Sequence, residues 1–456
     1  MPILPIDTGR YGTEEMRSIF EEENRLQKML DVETALAWAH GEVRNIPRKD
    51  VAKIVKMAST DHVKLSRVKE IEREIKHDVM SMVKAFAEVC GTSGAYVHFG
   101  ATSSDILDTA TALQLKEALE LIEQRLDSLE EALITKADRY RETMMMGRTH
   151  GQHALPITFG FKLAVWMREI ARHIQRLRGA KERIVVGKMS GAVGTQAGLG
   201  PDALEIQERV MKRLGIRSAE ISTQIVQRDR YAELVCLLAV IASTLDKIAT
   251  EIRELQRTEL GEVFEPFGKE RQVGSSTMPH KRNPELCERI CGLAKIMRSL
   301  VLPALENVPT WHERDISQSS AERFIIPEAC ILIDYMLVLM TGILTDLQVD
   351  EERMLRNMML TQGRTMSEAV MLAMTRKGTS RQDAHELIRG LAIKSQAGGQ
   401  PFRKVLLENE TVRKVLTERA VDAALEPRNY LGTAVEQVER AIEKTRQERK
   451  ARGLAG

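Results

Sequence analysis

The sequence predicts an all-α fold in which a bundle of long helices lies between smaller helical N- and C-terminal domains, and three observations predict it. The first is composition. Of 456 residues only 4% are aromatic, 22 are Met, and Leu, Ala, Glu, Lys and Arg abound; most of these side chains lose little freedom in a helix. The second is punctuation: no Gly or Pro interrupts Asp105 to Met146, and none interrupts Asp229 to Leu260. The third is period. Ile106, Ala110 and Leu113, and then Leu234, Leu238, Ile241, Leu245, Ile248, Ile252 and Leu255, recur at three- and four-residue steps, which is the spacing of one helical face.

In chain order, residues 1–100 read as a shorter helical domain and 101–350 as the long-helix bundle. Residues 351–456 read as a C-terminal helical domain whose helices are broken by Gly363, Gly378, Gly390, Gly398 and Pro401. At 1.5 Å of rise per residue the first uninterrupted stretch spans about 60 Å. One chain of this size does not supply partners along such a length, so a bundle shared between subunits is expected, and with it an oligomer core. Nothing reads as a βαβ unit or as an all-β series of short strands. The glycine-rich GKMSGAVGT (Gly187 to Thr195) lacks the P-loop order and reads as a tight interhelical loop rather than a phosphate cradle.

Apolar residues make up 43% of the chain, enough for a sizeable core, and the net charge of +2 gives no general pull toward nucleic acid or membrane. The basic tail (Lys444, Arg446, Arg449, Lys450, Arg452) reads as a solvated helix end rather than a binding arm. Five cysteines without a CxxC pair suggest neither disulfides nor a zinc ribbon. Cys287 and Cys291 share a helix face and read as core. MPILPIDTGRYG has no secretory pattern. The most apolar run identified, Leu234 to Ala242, is far shorter than the roughly 20 residues a membrane span needs. A cytoplasmic location is expected, with no membrane and no nucleic-acid partner.

The chemistry-bearing residues lie between helices. GSSTMPHKRNP (Gly274 to Pro284) combines hydroxyls with Lys281, Arg282 and Asn283. A surface loop accounts for its glycine and prolines; presenting hydroxyls and cations to a carboxylate-rich ligand accounts for the rest. In MGRTHGQHALP, His150 sits between Thr149 and Gly151, where both a solvated residue and a functional one fit. His77 and His98 stand near helix ends, where structural roles are common. WHERDISQSSAER (Trp311 to Arg323) places Arg314 and Arg323 among three serines, a mixture that suits phosphate oxygens.

GSSTMPHKRNP resembles the signature segment of the aspartase/fumarase superfamily, whose members break a C–N or C–O bond to release fumarate. RYG at Arg10–Gly12, IKHDV, VHFGATSSDILDT, MMGRTHGQHALPITFG, KMSGAVGT, ISTQIVQRDR and WHERDISQSSAER, in this order to residue 323, resemble its adenylosuccinate lyase family. Thr277 stands where that family usually has alanine and the related carboxymuconate cycloisomerases often have threonine. Those lack WHERDISQSSAER as it stands here, so cycloisomerase is the runner-up. Argininosuccinate lyase, which needs no phosphate grip, and a non-enzymatic helical scaffold compete less well.

The resemblance implies a cofactor-free anti β-elimination of fumarate from succinylated purine nucleotides. It implies Ser275 as base, activated by loop closure and cations such as Lys281, and His150 as general acid. Glu288 would support that imidazole, and His77 would be the second histidine. Thr102, Ser103, Lys281 and Asn283 would hold the succinyl carboxylates, with a further hydroxyl from Ser276. Gln224 would reach substrate from a neighbouring subunit. Arg10, Tyr11, Arg289, Arg314, Ser319 and Arg323 would grip the nucleotide. Lys76, Asp78, His98, Thr149 and Arg282, inside the matching motifs, complete the expected substrate contacts. The family's sites are shared among three subunits of a homotetramer.

Overall fold

The computed structural model of the protein describes residues 4–267, 277, 278 and 280–455. The chain falls into two compact units. The first comprises Met1–Asp127, His173–Asp246 and Ile290–Leu339; the second comprises Ser128–Arg172, Lys247–Arg289 and Met340–Gly456. The all-α expectation holds. The long helices are Glu22–Glu42, Ser103–Arg139, Phe159–Ile184, Asp229–Gln256 and Ser317–Thr345. The 37 residues of Ser103–Arg139 correspond to about 55 Å. The expected stripe on Asp229–Gln256 is the buried one: Leu234, Leu238, Ile241, Leu245, Ile248 and Ile252 have no exposed surface.

One stretch departs from expectation. The Gly/Pro-free run does not stay helical to Met146: the helix stops at Arg139 and Met144–Thr149 is a strand, paired antiparallel with Gln152–Thr158. Three consecutive methionines carry no helical period, and the signal for the hairpin lay in its turn, His150–Gly151. Both residues have positive φ (54° and 71°), as a two-residue type I′ turn requires. Glycine adopts this freely, and histidine is among the non-glycine residues enriched there. The other strands among the described residues are two-residue pairings, Val186–Gly187 with Arg217–Ser218 and Val263–Phe264 with Gln348–Val349.

In the first unit, Leu26, Leu30 and Leu36 of Glu22–Glu42 join Met82 and Phe86 of Asp78–Cys90 and Ile206 and Val210 of Ala203–Leu214 in one core. The second unit's C-terminal helices are short because each is stopped and restarted by a cap. Ser380, Asn409 and Thr417 each accept a backbone N–H three residues on, satisfying an otherwise orphaned donor. Val370, Met374, Phe402, Leu406 and Val421 form the core beneath them.

Two further points concern Ser317–Thr345 and the C-terminus. Beyond the short apolar run Leu234 to Ala242, the helix Ser317–Thr345 is long and apolar enough, by length and composition only, to cross a membrane. However, 61% of that window is buried within the protein. Its Asp334 accepts hydrogen bonds from Thr13 (2.5 Å) and Arg125 (3.1 Å). An acid so paired marks the core helix of a folded domain. The basic tail is not solvated throughout. Arg449 and Arg452 reach the fully buried Glu130, and Arg168 binds Glu448 with two hydrogen bonds and Thr445 with a third. Lys444, Arg446 and Lys450 are exposed, as expected.

Candidate functional site

The first unit holds a cavity of about 190 Å³ beside the start of the Ser317–Thr345 helix, lined by Arg25, Arg314, Ser319 and Arg323 among others. Asp315 organises that start by accepting the backbone N–H groups of Trp311 and Ser317, both at 2.8 Å. The Ser317 hydroxyl, and then these backbone bonds, lower its carboxyl to a pKa of about 2, so it stays an acceptor across the physiological range. Arg314 donates to the Gln224 carboxamide at 3.0 Å. Arg323 donates to Asp78 at 2.7 Å.

The cavity is electrostatically tense. Burial, and then the charge of Arg323, lower the proton affinity of Arg25, against the opposing pull of Asp78, Glu22 and Glu72. An anion between the two guanidinium groups would relieve that repulsion. On the inner wall Arg228 is clamped by Asp108 (2.9 and 3.0 Å) and Glu322 (2.7 and 3.1 Å). This ties the segment carrying Gln224 to the helix carrying Ser319 and Arg323.

His98 lies in a left-handed conformation (φ 65°) before the Ser103–Arg139 helix. Its ring nitrogen Nδ1 is 2.6 Å from the buried Glu33, which also accepts the His98 backbone N–H at 3.0 Å. Burial opposes charging of the ring, but the hydrogen bond and charge of Glu33, with Asp105 beyond, outweigh it and raise the pKa above the usual histidine value. A raised folded-state pKa contributes stability that is complete below the unfolded pKa and is lost as pH rises through the folded one. Glu33→Gln is therefore expected to lower the melting temperature most in mildly acidic buffer, with the deficit shrinking as pH rises past that value. A deficit that grows with pH instead would refute the assignment.

Asp105, in the first turn of the same helix, accepts the Thr102 N–H (2.9 Å) and the Ser190 N–H (2.8 Å), and pairs with the fully buried Lys188 at 2.5 Å. The glycine-rich loop is thus the interhelical connection expected, locked to the helix that begins with Ser103. Backbones come close here: a Cβ on Gly100 would meet the Gly198 carbonyl at 2.6 Å. Lys76 ends one helix in a left-handed conformation, and His77 caps the next, its Nδ1 accepting the Met80 N–H at 3.2 Å. Arg10 lies over the Tyr11 ring, 5.8 Å from its centroid.

The second unit carries His150 at the tip of the hairpin. The hairpin is fixed below the tip, where Arg148 makes a bidentate pair with the buried Glu262 (2.9 and 2.6 Å) that Asn357 completes at 2.8 Å. Thr149 and His150 are exposed, and the His150 ring has no hydrogen-bond partner among the described residues. Glu288 does not support that ring within this chain; it is exposed and lies 4.0 Å from Arg253. Lys281 donates its backbone N–H to Met278 at 3.1 Å, Arg282 stacks over Phe267, and Gln256 donates to the Arg282 carbonyl at 3.2 Å. Asn283 and Arg289 are half-buried around the start of the Glu285–Ser299 helix. Ser275 and Ser276 lie outside the described residues.

Of the expected contacts, the first unit brings together Asp78 with Arg323 and Gln224 with Arg314, around a cavity that also includes Ser319. Most wall residues were not anticipated, Arg25, Ser104 and Gln318 among them. Arg25 sits inside an ordinary-looking helical stretch, and Ser104 and Gln318 lie between residues already singled out. Nothing in their spacing distinguished them, because polar side chains in helices usually face solvent. Of the seven non-glycine residues with positive φ among the described residues, three (Lys76, His98 and His150) were expected contacts, and such strain concentrates at functional sites.

Comparison with known proteins gives two family matches. The family described as Lyase covers residues 9–297, and the one described as Adenylosuccinate lyase C-terminus covers 363–441. The adenylosuccinate lyase of Pyrococcus abyssi is 53% identical over 454 residues, 100% of each chain. Among solved structures, a fumarate lyase from Mesorhizobium sp. BNC1 superposes with a TM-score of 0.89 at 33% identity, covering 97% of this chain and 100% of that one. The 3-carboxy-cis,cis-muconate lactonizing enzyme from Pseudomonas putida also gives 0.89, at 34% identity, covering 97% and 99%.

Proposed function

The chain belongs to the adenylosuccinate lyase family, and from that premise we propose how its own residues carry out the reaction. It is a carbon–nitrogen lyase that releases fumarate. Its reaction removes fumarate from adenylosuccinate to leave AMP, and from the succinylated imidazole carboxamide ribotide SAICAR to leave AICAR. Full-length identity of 53% with an adenylosuccinate lyase, against 34% with a lactonizing enzyme of similar fold, favours this reading over the cycloisomerase that Thr277 had kept open.

The observation that carries the nucleotide reading is the arginine-lined cavity. Arg314, Ser319, Arg323 and Arg25 offer forked donors and a hydroxyl to a phosphate, a group that argininosuccinate and muconates lack. Arg10, Tyr11 and Arg289 are assigned to the same nucleotide. At the reacting end Ser275 takes the proton from the carbon beside a carboxylate, and the C–N electron pair leaves with nitrogen. His150 protonates that nitrogen, with His77 assisting. Thr102, Ser103, Ser276, Lys281 and Asn283 hold the carboxylates and stabilise the charge that develops on them.

His150 and Glu288 both face solvent within one chain, and the long helices expose Val165, Val240, Val338 and Phe324. Both facts support a homotetramer in which neighbouring copies cover these faces and complete each site. A cytoplasmic enzyme follows from this reading. An absorbance assay with adenylosuccinate, argininosuccinate and carboxymuconolactone tests it. Stoichiometric AMP and fumarate from the first substrate alone is the expected result. Turnover of a control in its place would overturn the phosphate assignment.

A further inference from the structure

Two side chains on the wall of the first unit's cavity have no role in that chemistry. Gln318 and Ser104 are each 1% exposed. The Gln318 Oε1 and Nε2 and the Ser104 Oγ are buried with no hydrogen-bond partner among the described residues, although both residues line the cavity. Buried polar atoms are almost always satisfied, so a carboxamide with both ends unused is a site built to receive something. Gln318 offers one donor face and one acceptor and no charge, and Ser104 offers a hydroxyl that does either. Their match is a neutral group that both donates and accepts, not a phosphate or a carboxylate.

Position narrows the choice. Gln318 is adjacent in sequence to Ser319, and Arg314 and Arg323 line the same cavity. The group bonded to a nucleotide's phosphate is its sugar. The two succinylated substrates differ in their base but share the ribose, so fixed polar contacts serve both only if they fall on the shared part. At about 190 Å³ the cavity exceeds the roughly 150 Å³ that accepts benzene in an engineered core, enough for one ring.

We propose that Gln318, together with Ser104, is the sugar-reading subsite of this enzyme, its carboxamide pairing with the 2′- and 3′-hydroxyls of the ribose. The proposal rests on the nucleotide reading of the cavity. It makes Gln318 a specificity determinant for ribonucleotides over deoxyribonucleotides.

Calorimetry with AMP and 2′-deoxy-AMP, and turnover of adenylosuccinate and its 2′-deoxy analogue, test it. The wild type is expected to favour the ribose form by about tenfold in both measurements, as one or two hydrogen bonds allow. Gln318→Leu is expected to lose about tenfold with the ribose ligands and less than twofold with the deoxy ligands, so the preference collapses. Ser104→Ala should act in the same direction, less strongly. Equal treatment of both sugars by the wild type, or an equal loss for both in Gln318→Leu, overturns the proposal. If AMP outbinds 2′-deoxy-AMP but adenylosuccinate is not turned over, the subsite stands and the lyase reading falls; the wild-type comparison needs no variant to fold.

Discussion

Ser275→Ala is expected to lower kcat by about 10²–10⁴-fold, the range lost when a positioned base is removed, while substrate still binds. The reaction takes a weakly acidic proton from a carbon whose neighbouring carboxylate already carries charge. An unassisted serine hydroxyl is far too weak a base for this, so its anion must be favoured by lost hydration and nearby cations. Lys281 follows in the same segment and is exposed, and its ammonium is proposed for that task. The grip on the nucleotide is proposed for other groups, Arg314, Ser319 and Arg323, so binding is expected to outlast chemistry. Stopped-flow turnover beside equilibrium binding of adenylosuccinate separates the two. Near-normal kcat in Ser275→Ala would remove serine from the base role; loss of binding in parallel with turnover would recast it as a binding residue.

The fold was largely legible because its main signal is periodic. The face from Leu234 to Leu255 is buried because a three- and four-residue step on a long helix offers no other stable arrangement. The hairpin was missed for a local reason. Its strands are short and rich in Met, and its turn is written His–Gly rather than Asn–Gly, so only the left-handed φ of His150 reveals it. Ser317–Thr345 is not one apolar run in sequence, since Pro327 and Asp334 interrupt it; in the fold Asp334 pairs with Arg125, and the helix runs through. Motifs led to Arg314, Ser319 and Arg323, but not to Arg25. Its role depends on a neighbour almost three hundred positions away, and no short-range pattern records that. The same holds for Lys188, which in sequence is one lysine in a glycine-rich loop.

Lys188→Met is expected to destabilise the first unit by about 3–5 kcal/mol, the range found when one partner of a buried ion pair is removed. Lys188 and Asp105 are both fully buried, and the ammonium is held by the Asp105 carboxylate and the Ser190 hydroxyl at 2.9 Å. Without the lysine, Asp105 remains buried and charged among backbone donors from Thr102, Ser190 and Gly191. Those bonds offset part of the cost but supply no counter-charge. A fall of several degrees in melting temperature measures the loss. Removing the charge at both positions, as Lys188→Met with Asp105→Asn, is expected to cost less than the sum of the single variants, since neither then leaves an unpaired ion. Asp105 also fixes the Thr102 N–H at the head of the helix. Lys188→Met assayed well below its melting point should therefore show a raised KM through displaced Thr102 and Ser103. An unchanged melting temperature would mean that the pair is not a stability determinant, and additive losses in the double variant would mean that its members act independently.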